Sequence, residues 1–231
     1  MAAGAGTFLL GRQADGAAAY AALPAPAAVV SDPSDAIEAR DDPWVELKVA
    51  NPDVVAWLRI EGAGISLPVC QAGDKNPDYY LTHDLWGNES VAGCVYADHR
   101  CVADGSHVLA YGHHLTGTGG MLSALYDCHE QDAFDAKLSG GLVWSTPDGG
   151  HERMDAFCSL AVDESFADIQ RFDFGSEEEL RVWLGDLCSQ ASARSGDAQE
   201  LVATATHVVT LVTCSSLAAG QIGRTVVVFV A

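Results

Sequence analysis

The sequence predicts a mainly β protein, a barrel or sandwich built around one core. Short runs rich in β-branched residues alternate with clusters of Gly, Asn, Asp and Pro, a spacing typical of all-β folds. One stretch in the second half of the chain has clear helical periodicity. Hydrophobic residues make up 48% of the 231 residues, which is enough for a substantial core in a single domain.

The N-terminal segment, residues 1–41, differs in composition from the rest of the chain. It is rich in Ala, Gly and Pro, and it has neither a run of the roughly 18 to 20 apolar residues that span a bilayer nor the basic start of a signal peptide. Its first residues, MAAGAGTFLLG, are compatible with the end of an anchor helix or with a flexible tag. We expect residues 1–41 to be a flexible segment or the remnant of a membrane-anchor region, and residues 42–231 to form the folded domain.

A short helix is predicted to open the folded domain and to pack on the outside of the barrel. Asp42 is a capping residue directly before Pro43, which suits the first helical position, and Asn51-Pro52 ends the helix. Its apolar residues are Val45, Leu47 and Val49.

Eight segments are predicted strands because they are short, rich in β-branched residues and bounded by turn-forming residues. They are Val54–Ile60, Ile65–Cys70, Gly93–Ala97, His107–Ala110, Leu142–Ser145, Met154–Val162, His207–Thr213 and Thr225–Val230.

A second helix is predicted between the sixth and seventh strands. Ser176 with Glu179 three residues later forms a capping box, and further acidic residues suit the positive N-terminal end of the helix. Its apolar residues recur at helical spacing, which indicates a face that packs on the core. These residues are Leu180, Trp183, Leu184, Leu187, Cys188 and Ala191.

The charge balance argues against anionic partners. The chain has 12 Lys and Arg against 32 Asp and Glu, a formal net charge of −20. Because phosphate backbones are bound through Lys and Arg, this balance argues against nucleic acid and against anionic membrane surfaces. The acidity indicates a solvated acidic surface or, alternatively, steering of a basic substrate tail.

A candidate site lies where the last two predicted strands meet. The seventh strand leads directly into Cys214, and a glycine-containing loop ends at Arg224, which opens the last strand. If the two strands pair antiparallel about this loop, Cys214 and Arg224 are cross-strand neighbours. A thiol beside a permanent cation is stabilised as the thiolate, which is the nucleophilic form.

A proton carrier for this cysteine is expected from a third place in the chain. His113 follows Tyr111-Gly112 at the end of the fourth strand, and histidine is the side chain best suited to proton transfer near neutral pH. His114 is expected to be a loop residue. Taken singly, these residues have ordinary explanations as a core cysteine, a loop histidine and an edge arginine.

The sequence around each of these residues resembles the sortases, the cysteine transpeptidases of Gram-positive cell surfaces. The motifs are the Tyr-Gly-His at 111–113, the Thr-Leu-Val-Thr-Cys at 210–214 and Arg224 ten residues later. Further stretches resemble class B, and the resemblance covers roughly residues 42–231. They are Asn51–Ile60, Ile65–Gln71, Tyr79–Leu81 and Gly120–Tyr126.

The resemblance implies a fold and a reaction. The fold is a closed eight-stranded sortase-like β-barrel with an N-terminal helix and a helix between strands 6 and 7, and residues 42–231 are the catalytic domain. Cys214 attacks a threonine carbonyl in a sorting signal to form a thioester, His113 transfers protons, and Arg224 stabilises the oxyanion. Thr213 and Ser216 are expected to contact the substrate. No cofactor or metal is implied.

The resemblance also implies partners and a location. The partners are surface proteins that carry a sorting signal, with an amine of a cell-wall precursor or a pilin lysine as acceptor, and the protein is expected to be a monomer at the extracellular face of the cell membrane. An inactive sortase-like peptide-binding module is an alternative. A papain-like hydrolase is disfavoured because its cysteine precedes its histidine in the chain.

Four details leave alternatives open. Val212 stands where class B members often carry serine, and Ser216 stands where an acid can hold the arginine, so the orientation of Arg224 is open. Asp98 matches an acid of the family pattern but also suits a turn cap. The Asp-Pro-Trp at 42–44 is similar to the lid of class C sortases.

Seven cysteines and eight histidines complete the inventory of reactive residues. An odd number of cysteines fits one catalytic thiol with up to three bridges. We expect most of the other six to be buried free thiols, and we favour Cys94 with Cys101 as the pair to form any bridge. Zinc is not expected, because the spacings of Cys and His residues that are typical of structural zinc sites do not occur.

Overall fold

The computed structural model describes residues 43–103, 105–117, 119–215 and 223–231. The expectations for residues 1–41 and for Ser216 lie outside these residues. In the described part of the chain, no helix is long and apolar enough to cross a bilayer.

A ring of eight strands forms a closed barrel, which confirms the predicted fold class. The strands are β1 Val54–Ile60, β2 Ile65–Cys70, β3 Val95–Ala97, β4 His107–Tyr111, β5 Leu142–Ser145, β6 His151–Asp163, β7 Ala193–Arg194, β8 Val208–Ser215 and β9 Gly223–Val230. The ring runs in the order β5-β1-β2-β3-β4-β8-β9-β6 and closes where β6 pairs with β5, while the two-residue β7 pairs with the middle of β6. The β2–β3 and β4–β8 pairs are parallel, and the others are antiparallel.

The strand bounds differ from the prediction mainly at β3 and β6. Gly93 precedes β3 because its φ of 59° lies in the left-handed region, and a Cβ there would be 2.4 Å from the carbonyl oxygen of Tyr80. β6 is longer than predicted because it pairs with β5 through its first residues and with β9 through its later ones. This long strand holds the last hairpin of the chain against the rest of the barrel.

Four α-helices lie around the barrel in the described part of the chain. They are α1 Pro43–Ala50, α2 Gln131–Leu138, α3 Glu177–Ser189 and α4 Ala198–Thr204. The predicted N-terminal helix and the helix between the sixth and seventh barrel strands are confirmed as α1 and α3. α2 and α4 were not predicted, because α2 buries only Phe134 and Leu138 and α4 buries only Ala198, which is too little to give a clear periodic pattern.

α1 packs through a different face from the one its apolar pattern suggested. Trp44 and Leu47 are buried in the hydrophobic core, whereas Val45 and Val49 are 59% and 82% exposed. Residues three apart lie on the same side of a helix, so the tryptophan and the leucine share the buried side. Because Trp44 is part of the core, the resemblance to a class C lid is not borne out at this residue.

α3 begins after Ser176 as predicted, but the Glu179 side chain bonds to the backbone of Gly175 in place of that of Ser176. The Ser176 hydroxyl accepts a hydrogen bond from the Glu179 backbone N–H at 3.3 Å. The Glu179 carboxylate reaches Gly175, accepting from its N–H at 3.1 Å, and it also pairs with Arg171. The cap therefore ties the start of α3 to the segment that leads from β6.

The last two strands form the centre of the core. The apolar residues from Val226 to Val230 are all at most 2% exposed, although a strand with one wet face would alternate. Both faces of β9 are covered, and it lies between β8 and β6 in the ring. β9 is therefore buried along most of its length, and its partly exposed start at Arg224 lies at the barrel rim.

The cysteines do not pair as favoured from the sequence. All seven are free thiols. The Cys101 Sγ accepts from the Leu109 N–H at 3.2 Å, so Cys101 belongs to the turn before β4. The neighbour of Cys94 is Cys70, with the two Sγ atoms 3.6 Å apart. The Cys94–Cys101 pairing was wrong because the parallel β2–β3 pairing brings Cys70 beside Cys94.

Candidate active site

Cys214 and Arg224 are direct partners across the β8–β9 hairpin, which confirms the predicted antiparallel pairing. Thr213, which precedes Cys214, pairs with Thr225, which follows Arg224. The two threonines are 2% and 0% exposed, whereas Cys214 and Arg224 are partly exposed. Successive side chains in a strand point to opposite faces. The thiol and the guanidinium therefore share the accessible face at the rim of the barrel.

His113 is brought to the same rim by the parallel pairing of β4 with β8. The ladder runs to Tyr111 opposite Val212, and the Gly112 N–H extends it by donating to the Val212 carbonyl at 3.0 Å. Leu122 packs directly against Gly112, since a Cβ on this glycine would lie 2.6 Å from the Leu122 Cγ. Glycine is required here by close packing, and the histidine follows it immediately.

The imidazole of His113 is oriented by a backbone carbonyl. Its Nε2 lies 2.8 Å from the carbonyl oxygen of Leu81, which ends the 3₁₀ turn Tyr79–Leu81. A carbonyl oxygen only accepts, so Nε2 carries the proton in this contact and Nδ1 is the remaining nitrogen for proton exchange.

One groove of about 630 Å³ is bordered by all three predicted residues, His113, Cys214 and Arg224. A volume of this order suits an extended peptide segment or a small ligand. The other lining residues are Pro77, Asp78, Leu81, Tyr96, Asp98, His99, Arg100, Tyr111, Gly112, Glu164, Val212 and Thr213.

Asp98 is a buried carboxylate in the wall of this groove. It accepts hydrogen bonds from Arg100 Nε at 2.8 Å and Nη2 at 2.7 Å, and from the Arg100 backbone N–H at 3.0 Å. Burial alone raises its pKa, but these hydrogen bonds and the charges of Arg100 and His99 outweigh burial and lower the pKa below its usual value. Asp98 therefore both caps a turn, as the alternative interpretation expected, and lines the groove.

The tyrosines of the groove act as neutral groups. Burial, followed by the nearby charges of Asp78 and Asp98, raises the pKa of Tyr96 to about 12. Burial likewise raises the pKa of Tyr111, whose hydroxyl donates to Asp98 at 3.4 Å. Both phenols stay protonated at neutral pH and contribute hydrogen-bond donors without charge.

Of the other residues considered from the sequence, Thr213 borders the groove and His114 does not. Thr213 borders the groove, but its Oγ1 is buried and has no hydrogen-bond partner among the described residues. His114 stacks on Tyr126 with ring centroids 4.7 Å apart and is not a groove residue. Within residues 43–103, 105–117, 119–215 and 223–231 there is no group of three or more His, Cys, Asp or Glu side chains that could hold a metal ion.

Several groove residues were not identified from the sequence. Asp78, Arg100 and Glu164 lie in segments without a motif, and they reach the groove only because distant segments meet there. Arg100 had a local signal, since an arginine two residues after an acid in a tight turn can pair with it, as it does with Asp98.

Known proteins that are similar to this chain in sequence or in structure include class B sortases. No family model matches the sequence. The chain is 31% identical over 97 residues to sortase B of Listeria monocytogenes, a match that covers 41% of this chain and 38% of that relative's length. The structure is similar to sortase B of B. anthracis, with a TM-score of 0.69, 21% identity and 96% of both chains covered.

The same fold recurs in a third protein. A Staphylococcus aureus sortase B–substrate complex matches with a TM-score of 0.66 and 22% identity, covering 81% of this chain and 83% of that one. At these identities the structural matches establish the fold, and the Listeria match adds a relationship in sequence. The chain therefore has the fold of the class B sortases, and part of its sequence is similar to one of them.

Proposed function

We propose that this protein is a cysteine transpeptidase that cleaves a sorting signal after threonine and transfers the released protein to an amine. The observation that carries the proposal is that Cys214, His113 and Arg224 border one groove, with Cys214 and Arg224 paired across the same hairpin. These three groups are a nucleophile, a proton carrier and an oxyanion stabiliser.

The first half of the proposed reaction forms an acyl-enzyme. The Cys214 thiolate attacks the carbonyl carbon of the threonine, and the negative charge on the carbonyl oxygen is stabilised by the Arg224 guanidinium. The C–N bond then breaks, and the departing amine takes a proton from the His113 imidazolium. The threonine carbonyl remains bound to Cys214 as a thioester.

The second half transfers the acyl group. An acceptor amine attacks the thioester carbon and gives a proton to His113, and the carbon–sulfur bond breaks to restore the thiolate. A new amide is the product, and water in place of the amine gives hydrolysis. We infer an amine of a cell-wall precursor as acceptor, with a pilin lysine as the alternative.

The related proteins support the choice of substrate class. One Staphylococcus aureus sortase B structure is a substrate complex, and another sortase B structure is a complex with triglycine. By this relationship, we infer that the groove takes an extended peptide and that the protein acts at the extracellular face of the cell membrane.

A peptide-library cleavage assay with hydroxylamine as acceptor tests the proposal. The wild-type protein should form hydroxamates from peptides with threonine at the cleavage site, and Cys214→Ala should form none. Cys188→Ala is the matched control, because Cys188 is also partly exposed but does not line the groove. We expect this control to keep its activity.

Two outcomes would contradict the proposal. Hydroxamate formation by Cys214→Ala would exclude this sulfur as the nucleophile. Tight binding of sorting peptides by wild type, with no product and with Cys214 alkylated no faster than in the denatured chain, would identify an inactive peptide-binding module instead.

A further inference from the structure

Three chemical groups lie close together where β8 ends, where β9 begins and just after β6 ends. Arg224 on β9 is opposite Cys214 on β8 and opposite Val162 on β6. Cross-strand partners project to the same face of a sheet. β6 ends at Asp163, and Glu164 is the first residue of the turn that follows, beside Arg224.

The contacts agree with this placement. The Arg224 Nη2 lies 3.8 Å from the Glu164 Oε2, and the Arg224 Nη1 donates to the Gly223 carbonyl at 3.1 Å. The side chains of Arg224 and Glu164 are 27% and 51% exposed, and both border the groove with Cys214. A thiol on β8, a cation on β9 and a carboxylate in the turn after β6 thus border one groove.

The other carboxylates of the groove are less suited to hold Arg224. Asp98 is occupied by Arg100, which binds it through Nε and Nη2. Asp78 borders the groove, but among the described residues the ion pair of Arg224 is with Glu164. Position 216, two residues after the cysteine, is where an acid was considered for this role, and it is a serine. Glu164 is the carboxylate that the structure pairs with the arginine.

We propose that Glu164 is a positioning residue for Arg224. Its carboxylate holds the guanidinium on the face of the sheet that carries Cys214, so that the guanidinium is in place when negative charge develops on the substrate carbonyl oxygen. This inference rests on the proposed function, since it assigns Glu164 a role in the same reaction. Glu164 acts through Arg224 and does not contact the reacting atoms.

The size of the effect follows from the exposure of the pair. Partly exposed ion pairs contribute little energy and are screened by salt. Removing the carboxylate should therefore lower the rate by about two- to five-fold, much less than removing the guanidinium itself. Because the guanidinium acts on charge that develops during reaction, the loss should fall on kcat and leave KM nearly unchanged.

The first test compares Glu164→Gln, Glu164→Asp and Glu178→Gln in the hydroxylamine assay. Glu178→Gln is the matched control, because it removes the same charge from an exposed position on α3 outside the groove. We expect a lower kcat for Glu164→Gln, partial recovery with Glu164→Asp, and wild-type kcat for Glu178→Gln. High salt should lower the wild-type kcat to that of Glu164→Gln, because it screens the pair.

An equal loss in Glu164→Gln and Glu178→Gln, or a kcat difference that high salt leaves unchanged, would overturn the proposal. A second measurement is independent of activity. In the nitrogen-15 NMR spectrum, the Arg224 Nε–H signal should shift on Glu164→Gln and stay in place on Glu178→Gln. If wild type forms no hydroxamate, the proposed function fails, while an unmoved Arg224 signal would refute the contact itself.

Discussion

Two partly exposed cysteines, Cys188 and Cys214, each have an arginine nearby, yet their surroundings differ. Cys188 lies in the last turn of α3, where a hydrogen bond from the buried Cys158, and then Arg194, lower its pKa to about 6. Cys214 lies at the end of β8, paired with Arg224, in a groove that also holds His113. Cys188 is an acidic thiol away from this groove, and Cys214 is a thiol inside it.

The comparison separates thiol acidity from catalytic use. A lowered pKa makes a cysteine reactive toward small electrophiles. Acyl transfer also needs a proton carrier and a donor for the oxyanion at the same place. The surroundings of Cys214 include both, so the groove and not the acidity of a thiol marks the candidate nucleophile.

The largest expected effect is on kcat, and it should differ between substitutions at Arg224 and at Arg194. Arg224→Lys should lower kcat for hydroxamate formation by a factor of about 10² to 10³, because an ammonium does not reproduce the planar donor pair of the guanidinium. Arg194→Lys should change kcat by less than about two-fold, as is usual for an exposed residue outside a site. Equal losses in the two variants would remove the distinction between the two cysteines.

A smaller loss is expected when His113 is displaced from Cys214. Gly112→Ala places a methyl group 2.6 Å from the Leu122 Cγ, and Leu122 is fully buried and cannot move away. We expect kcat to fall by about 10- to 100-fold, since misplacement of a reacting group by about 1 Å is costly.

The control for this prediction is a double variant. Leu122→Ala in the Gly112→Ala background should recover part of kcat, because it removes the atoms that the new methyl group meets. The rate of alkylation at Cys188 should be the same in all of these variants. Additive losses in the double variant would show that the contact does not position His113.

Alkylation with iodoacetamide across the pH range sharpens the comparison further. Because the pKa of Cys188 is lowered to about 6, its rate of alkylation should reach half its maximum near pH 6 in the folded protein. Peptide mass spectrometry after quenching measures each site separately. The five buried cysteines should be labelled only after unfolding. A half-maximum for Cys188 near that of a free cysteine would contradict the prediction.

The smallest effect is on stability. The folded-state pKa of Cys188 lies below its ordinary value of 9.0, so the stabilisation is fully present above that value and is lost as the pH falls through about 6. The free energy of unfolding of wild type relative to Cys188→Ala should therefore be larger at pH 9 than at pH 6. We expect a difference of at most about 1 kcal/mol after solvent screening.

Urea unfolding at the two pH values measures this difference. Cys128→Ala is a control of opposite sign, because burial raises the pKa of Cys128 to about 12 and its thiol stays neutral in the fold at both pH values. Its loss of packing costs stability at both pH values. Because the thiol of the unfolded chain begins to ionise near pH 9, the stability of wild type relative to Cys128→Ala should be slightly smaller at pH 9 than at pH 6. A pH-independent difference for Cys188→Ala would mean that its thiolate is not stabilised in the fold.

The barrel was largely predictable because its signals are local. Strands β1, β2, β5, β8 and β9 follow β-branched runs with clear breaks, and Ser176 caps α3 from within its own turn. The helices α2 and α4 were missed, since few of their residues are buried. The cysteine pairing failed for a related reason, because the contact between Cys70 and Cys94 depends on two strands pairing in parallel.

By itself, the sequence determined the hairpin that carries Cys214 and Arg224. These two residues flank one loop, and strands joined by one loop have few ways to pair, so their register followed from the spacing. The same hairpin, with the motif at 111–113, was sufficient to show the resemblance to sortases.

Only the tertiary structure decided what surrounds this hairpin. The parallel pairing of β4 with β8 places His113 at the rim, the Leu81 carbonyl orients its ring, and Glu164 arrives from the end of β6. Each contact joins segments that are dozens of residues apart. Such contacts depend on the order of strands around the whole barrel, and no local run of residues encodes that order.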